Sequence, residues 1–370
     1  MSSGSVPIKS PLHERHVALG AKFAEFGGWE MPLEYPAGTL KEHAAVRAGV
    51  GIFDVSHLGK ITVGGPGAVA FLNTVLTGDL NRIGAGQAQY TLLCDDETGG
   101  VVDDLIAYRH TDERVFLIPN AANCAEVAGR LRAAAPEGIE ITDLHTEYAV
   151  VAIQGSLSDE VLAEAGLPTG HPYMSFEAAE LGDAELVVCR TGYTGERGYE
   201  LVVPTAAALQ VWDTVMAAGE QYGIAPCGLA SRDTLRTEMG YPLHGQDISP
   251  EINPVEAGLN WAVGWNKPEF SGKQVLTQVK ADGPKRRLRG IVATGRAIPR
   301  PGMTVGITRD VLVGTVTSGT YSPSLSKGVG LALIASQISE DAEVTVNVRG
   351  RPEVFAITKP PFVQTHVRES

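Results

Sequence analysis

The sequence predicts an α+β protein in which two antiparallel sheets, each with helices on one face, precede a small barrel or sandwich. Three observations predict it. One order of elements, strand–helix–strand–strand–strand–helix, occurs twice between Lys60 and Tyr222. A glycine-rich hairpin tip, Thr191-Gly192-Tyr193-Thr194-Gly195-Glu196-Arg197-Gly198-Tyr199-Glu200, joins two β-rich runs in the second copy. Beyond the linker-like Ala281-Asp282-Gly283-Pro284, glycine and proline break the chain into short β-rich pieces.

Taken in order, the opening arm carries Lys22-Phe23-Ala24-Glu25-Phe26-Gly27-Gly28-Trp29-Glu30-Met31-Pro32, where the glycine pair and proline mark turns around aromatics. A helix is expected over Thr39–Gly49, then a strand over Gly51–Lys60 that contains His57, read as a satisfied structural histidine. The first repeat comprises Lys60–Val63, a helix over Pro66–Leu76, strands Gln87–Cys94, Gly100–Tyr108 and Arg114–Pro119, and a helix over Ala121–Ala134. The second comprises Tyr148–Gln154, a helix over Ser158–Ala165, strands Met174–Glu180, Ala184–Arg190 and Tyr199–Val203, and a helix over Thr205–Tyr222. In that last helix Leu209, Trp212, Val215 and Met216 share one face. A further helix should follow Cys227 and carry Arg232, and a further strand should begin in Pro254–Trp261. The terminal pieces are Leu288–Val292, Val311–Ser318, Val329–Ile334, Glu343–Val348 and Glu353–Lys359. This divides the chain into residues 1–145, 146–280 and 285–370.

Composition narrows the function classes. The 370 residues are 44% hydrophobic and 20% charged, ordinary for a globular chain. A net charge of −13 argues against a general nucleic-acid binder, whose affinity rests on neutralising phosphates. Lys285-Arg286-Arg287 with Arg289 is a small basic run, read as a solvated domain junction. Met1–Arg15 has no continuous apolar stretch and no segment reaches the length of a membrane helix, so a cytoplasmic protein is expected. The four cysteines lie far apart without a CxxC pair, so neither a disulfide framework nor a metal site is expected.

Certain polar residues stand where a bland fold would not place them. Asp103 and Asp104 interrupt an otherwise apolar strand, and a carboxylate on a half-buried sheet is costly unless paired or working. Adjacent strand residues point to opposite faces, so one can face a cleft while the other caps a neighbour. Asn120 is an N-cap by default, with an amide it could offer to a ligand. At the hairpin, Tyr193 and Glu200 together suit a flat heterocycle with N–H donors; the bland alternative is a tight turn with a solvated glutamate. Arg232 could hold a ligand carboxylate, or pair on the surface with Asp233 or Glu238.

Several stretches in order resemble the aminomethyltransferase family of the glycine cleavage system, the T-proteins. They are Gly27-Gly28-Trp29-Glu30-Met31-Pro32, Phe53-Asp54-Val55-Ser56-His57, Gly99-Gly100-Val101-Val102-Asp103-Asp104-Leu105, Gly192-Tyr193-Thr194-Gly195-Glu196, Gly228-Leu229-Ala230-Ser231-Arg232-Asp233, Val316-Thr317-Ser318-Gly319 and Pro361-Phe362-Val363. The resemblance implies two α+β folate-binding subdomains and a C-terminal β-barrel, a cloverleaf around a central channel. It implies that an aminomethyl group passes from the dihydrolipoyl arm of a lipoylated H-protein to tetrahydrofolate. The products would be 5,10-methylenetetrahydrofolate, ammonia and the reduced carrier. Glycine decarboxylase and dihydrolipoyl dehydrogenase would be indirect partners. By the same resemblance Asp104 is the catalytic acid, orienting the folate nitrogens and stabilising the cation formed as ammonia leaves. Glu200 reads the pterin edge, while Tyr193, Tyr90, Asn120, Tyr173 and Arg232 border the ligand. No metal is implied. The tail lacks the tyrosine common in the family, and Arg368 is a weak substitute.

Rival readings fit less well. Flavin-dependent sarcosine and dimethylglycine oxidases share the core, but this chain has neither length for a flavin domain nor an early GxGxxG. Folate-binding proteins that assist iron–sulfur maturation carry a Lys-Gly-Cys stretch where this chain has Phe270-Ser271-Gly272-Lys273-Gln274.

Overall fold

The computed structural model describes residues 6–308 and 311–368. An all-antiparallel five-stranded sheet carries the first repeat, in the order Gln87–Cys94, Val101–Thr111, Arg114–Ile118, Ile61–Gly64, Glu140–Asp143. Its strands alternate apolar and polar residues, and helices Ala68–Val75 and Cys124–Ala134 cover one face through Phe71, Leu72, Val127 and Leu131. The second sheet runs Phe176–Leu181, Ala184–Cys189, Gly198–Pro204, Tyr148–Gln154, Gly51–Asp54, Ala225–Cys227, with helices Ser158–Glu164 and Ala208–Gly219 on its outer face. A third core joins the two inner faces, where Phe53, Val150 and Val202 meet Ala88, Tyr108 and Ile118.

The two sheets exchange material. Strand Gly51–Asp54, which lies before residue 145 in the chain, pairs with Tyr148–Gln154 inside the second sheet. Its last residue and the turn after it join a polar network: His16 sits between Asp54 at 2.9 Å and the Tyr35 hydroxyl at 2.9 Å, all buried, and Asp54 also accepts from the Ser56 backbone at 2.9 Å. That network ties the opening arm, including buried Trp29 and Met31, to the second half.

Helix Leu229–Met239 is the hub between lobes. It packs on helix Thr39–Ala48, on arm strand Trp29–Glu34 and on barrel strands Leu312–Ser322 and Lys327–Ala335. Fully buried Arg236 locks it to the barrel, donating to Asp247 at 2.8 Å and to the Ser318 hydroxyl at 2.9 Å. The barrel is closed, in the order Arg286–Ala293, Lys327–Ala335, Leu312–Ser322, Thr304–Gly306, Glu343–Val348, Arg351–Thr358. Closure removes the unpaired edges that an open sandwich would leave.

Four expectations need correction. Pro254–Trp261 begins no strand; it is a turn leading into a short 3₁₀ segment, Asn260–Ala262, held by Val255, Ala257 and Leu259 in the core. Leu209 is exposed, because the buried stripe of its helix is centred on Ala208, Val211, Trp212 and Val215 and leaves Leu209 beyond its margin. Arg286 opens a barrel strand and reaches back to Glu256 at 2.8 Å and to the Glu251 carbonyl at 2.6 Å, so the basic run is a junction as expected, but a paired rather than a simply solvated one. Ala281 and Asp282 end a helix, Lys273–Asp282, that falls in no expected element.

Candidate functional site

The acid centre grows out of the second strand of the first sheet. Asp103 and Asp104 alternate as strand neighbours must, but both are gathered by one amide. Asp103 is fully buried and accepts three N–H bonds, from the Asn120 backbone at 3.0 Å, the Asn120 amide at 2.9 Å and the Asn123 amide at 2.7 Å. Asp104 is half-buried; its Oδ1 accepts from the Asn120 amide at 2.8 Å and its Oδ2 from the Tyr90 hydroxyl at 3.0 Å. Tyr90 can reach because it pairs with Ile106, which places it diagonally from Asp104 on one sheet face. Asn120 is therefore no side-chain cap; its amide is committed to the two carboxyls. Asn123 fixes a second ring in turn. Its amide nitrogen must be the end facing Asp103, so it donates to His244 Nδ1 at 3.0 Å, which leaves His244 Nε2–H to donate to the Val101 carbonyl at 3.0 Å.

Burial raises the Asp104 carboxyl above the usual carboxylate range, while hydrogen bonds from Asn120 and Tyr90 pull it back. Asp103 is pushed up further, first by burial and then by its neighbour's charge, against the amides of Asn123 and Asn120. Burial, and next the Asp104 charge, also hold the Tyr90 hydroxyl well above its ordinary range, so it remains a donor to Asp104.

The second acid comes from the hairpin. Cys189 and Glu200 are paired across it, and Glu200, buried, accepts from the Thr191 hydroxyl at 2.6 Å. Thr191 has one proton and gives it to Glu200, so the Tyr108 hydroxyl, 3.1 Å away, is the donor to Thr191. That chain of hydroxyls links the first sheet to the second acid. At the tip, Gly195 has φ +85°, and a Cβ there would meet the Met239 sulfur at 1.9 Å, so the loop closes on helix Leu229–Met239 only with glycine. Tyr193 stacks on Tyr241 (5.8 Å, 29°) and gives its hydroxyl proton to the Pro242 carbonyl. Burial, partly offset by the charge of Arg236, raises that hydroxyl's pKa.

Arg232 binds the two regions together. Its guanidinium lies 4.9 Å from the Tyr193 ring centroid, and its buried Nη1 has no hydrogen-bond partner among the described residues. Burial lowers its pKa, and Glu200 and Tyr193 act against that. Tyr193 in turn lies in the field of Asp104, and Tyr173 in that of Glu200, with Arg368 5.7 Å from the Tyr173 ring. Direct contacts join Asp104, Asn120 and Tyr90 in one cluster and Tyr193 and Arg232 in another, while Glu200 and Tyr173 are related to these through their charges rather than through contacts. His57 differs from expectation. It is buried, its Nδ1 lacks a partner, and burial, then the Arg232 charge, lowers its pKa to about 3. Asn123, His244, Tyr241 and Trp261 also touch these site residues, directly or through Asn123. Asn123 had a signal, one turn beyond Asn120; the others come from distant segments and had none.

Two family models match the chain: the GCVT N-terminal domain over residues 12–267 and the glycine cleavage T-protein C-terminal barrel domain over residues 286–364. Among curated relatives, an aminomethyltransferase of Parafrankia sp. is 57% identical over 361 residues, covering 97% of this chain and 99% of the relative. The aminomethyltransferase of Mycobacterium tuberculosis is 54% identical, covering 98% of each. A crystal structure of the glycine cleavage system aminomethyltransferase T from Bartonella henselae superposes with a TM-score of 0.91 at 34% identity, covering 98% of this chain and 99% of that one. Two α+β halves and a closed barrel around a buried acid pair thus define a transferase of the glycine cleavage type. The chain belongs to the glycine cleavage T-protein family of aminomethyltransferases. Among the described residues, no helix is long and apolar enough to cross a membrane.

Proposed function

We propose that tetrahydrofolate lies against Tyr193 between Glu200 and Asp104, and that the aminomethyl donor arrives on the dihydrolipoyl arm of an H-protein. Glycine decarboxylase and dihydrolipoyl dehydrogenase act before and after it on the same carrier. The observation that carries this reading is the unpartnered Nη1 of Arg232, buried beside a stacked tyrosine and a buried carboxylate. An unmade hydrogen bond of a buried cation is costly, and a ligand oxygen would satisfy it. The fit extends to shape: Tyr193 offers a flat ring already held by Tyr241, and Glu200 keeps lone pairs beyond the one engaged by Thr191.

Tetrahydrofolate supplies the nitrogens that take up the methylene. The chain's own residues supply position and charge. Asn120 and Tyr90 fix both oxygens of Asp104, so its charge is aimed before the substrates arrive. A raised proton affinity also suits that carboxyl to exchange a proton with the reacting group. Asp103 does not compete for this role, because three amide donors hold it inside the sheet. The roles of Tyr173, beside Glu200, and of Arg368 above it are those of side walls.

The direct test is ammonia release from aminomethylated H-protein with and without tetrahydrofolate. Release should depend strongly on tetrahydrofolate and yield 5,10-methylenetetrahydrofolate in equal amount. Release that ignores tetrahydrofolate would refute the acceptor assignment.

A further inference from the structure

Trp261 is 66% exposed, the most exposed large aromatic among the described residues. A single exposed apolar side chain is ordinary on a protein surface. The frame around this one sets it apart. Its flanking residues Leu259, Ala262 and Val263 are buried. The backbone is pinned by the Thr77 hydroxyl on the Ala262 carbonyl at 3.0 Å, by Gly264 N–H on the Thr77 carbonyl at 2.8 Å and by Trp265 Nε1–H on the Asn260 carbonyl at 3.1 Å. A rigid frame therefore holds a large apolar ring out in water.

One face of that ring is occupied. It stacks on Tyr90 with centroids 5.2 Å apart and planes at 26°. Tyr90 is the residue whose hydroxyl orients Asp104 Oδ2. Trp261 is thus two contacts from the acid, and the rest of its ring is exposed beside the tyrosine that orients it. A donor carried on a protein must reach Asp104 from outside, and the end of its arm is an aliphatic chain with a dithiol, which needs apolar surface where it leaves water.

We propose that the outer face of Trp261 receives the aliphatic dithiol arm of the aminomethyl donor and steers it to Asp104. The inference rests on the donor reading given above and adds the contact that sets the donor's approach. Trp261 is a substrate-positioning residue; it takes no part in bond making.

The test compares two donors, aminomethylated H-protein and free aminomethyl-dihydrolipoamide, on the full chain. Trp261→Ala should raise KM for both donors about tenfold, the effect of removing one large aromatic contact, while the Kd for tetrahydrofolate by calorimetry stays within about twofold. Trp261→Phe should restore most of the loss, because a flat ring can still stack. Thermal melting should show both variants folded like the parent, since the ring is largely outside the core. A rise in KM for the carried donor alone would mean that Trp261 meets the carrier protein's surface and would overturn the arm contact. Unchanged KM for both donors would also overturn it, with the proposed function intact. Absence of ammonia release from either donor by the parent chain would remove that function and this inference together.

Discussion

The two acids of the site are held in opposite ways. Asp104 has both oxygens engaged by its own half of the molecule, through Asn120 and Tyr90, and it neighbours a second carboxyl that is itself saturated with donors. Glu200 has one engaged oxygen, and the cation beside it, Arg232, has a buried nitrogen with nothing to bond. A fully engaged group is rigid and gains little from a ligand; an incompletely engaged one gains a great deal. On the proposed function, the difference amounts to a division of labour: the first half would be preorganised for chemistry, and the second would keep its hydrogen bonds for recognition.

Substitutions can break that division, the largest effect first. Asp104→Ala should lower the rate of ammonia release by about 10²–10⁴-fold, the range for losing a positioned acid–base or charge-stabilising group. Tetrahydrofolate affinity, read by calorimetry, should change little. Turnover close to the parent's would show that Asp104 is not the working acid. Next come Glu200→Ala and Arg232→Met, which should weaken tetrahydrofolate binding by roughly 10–100-fold while leaving kcat at saturation within a few-fold, as expected for charged hydrogen bonds made to a ligand. Equal affinity in parent and variant would place the pterin elsewhere and dissolve the contrast between the halves.

How much of this was legible follows from how local each signal is. The hairpin could be read because its glycines, Tyr193 and Glu200 lie within a few residues, strand Gln87–Cys94 because its first residues alternate, and strand Tyr148–Gln154 because it is a short apolar run rich in β-branched residues. Asp103 and Asp104 stood out as charges in an apolar run. What escaped was set by distant partners. Asn120 looks like a helix cap in any local reading, yet its amide goes to two carboxyls sixteen and seventeen residues earlier, which only sheet pairing brings near. Strand Gly51–Asp54 was visible as a strand, but its transfer to the second sheet depends on Tyr148–Gln154 presenting an open edge. Trp261 reads as part of a strand because tryptophan and valine favour strands; core packing of Val255, Ala257 and Leu259 overrides that preference.

Between the halves lies a third kind of charge, which sharpens the comparison most gently. Lys60 is fully buried where the first sheet begins, and its ammonium donates to two carbonyls, Ser56 at 2.6 Å and His145 at 3.2 Å, with no carboxylate bound directly among the described residues. Burial lowers its pKa to about 7, against the attraction of Asp54 and of Cys124. The unfolded chain, with lysine near its ordinary 10.5, therefore holds more protons than the folded one between about pH 7 and 10.5. Stability from this group must rise with pH across that window and level off above it. Lys60→Met should remove the rise, so parent and variant unfolding free energies should diverge by roughly 1–3 kcal/mol between pH 7 and 10. The four buried thiols, all raised by burial, push the other way above pH 9, but they are common to both chains and cancel in the difference. Urea unfolding at the two pH values measures that difference directly. A difference that stays constant with pH would mean that Lys60 keeps its proton in the fold, held by carbonyl oxygens alone.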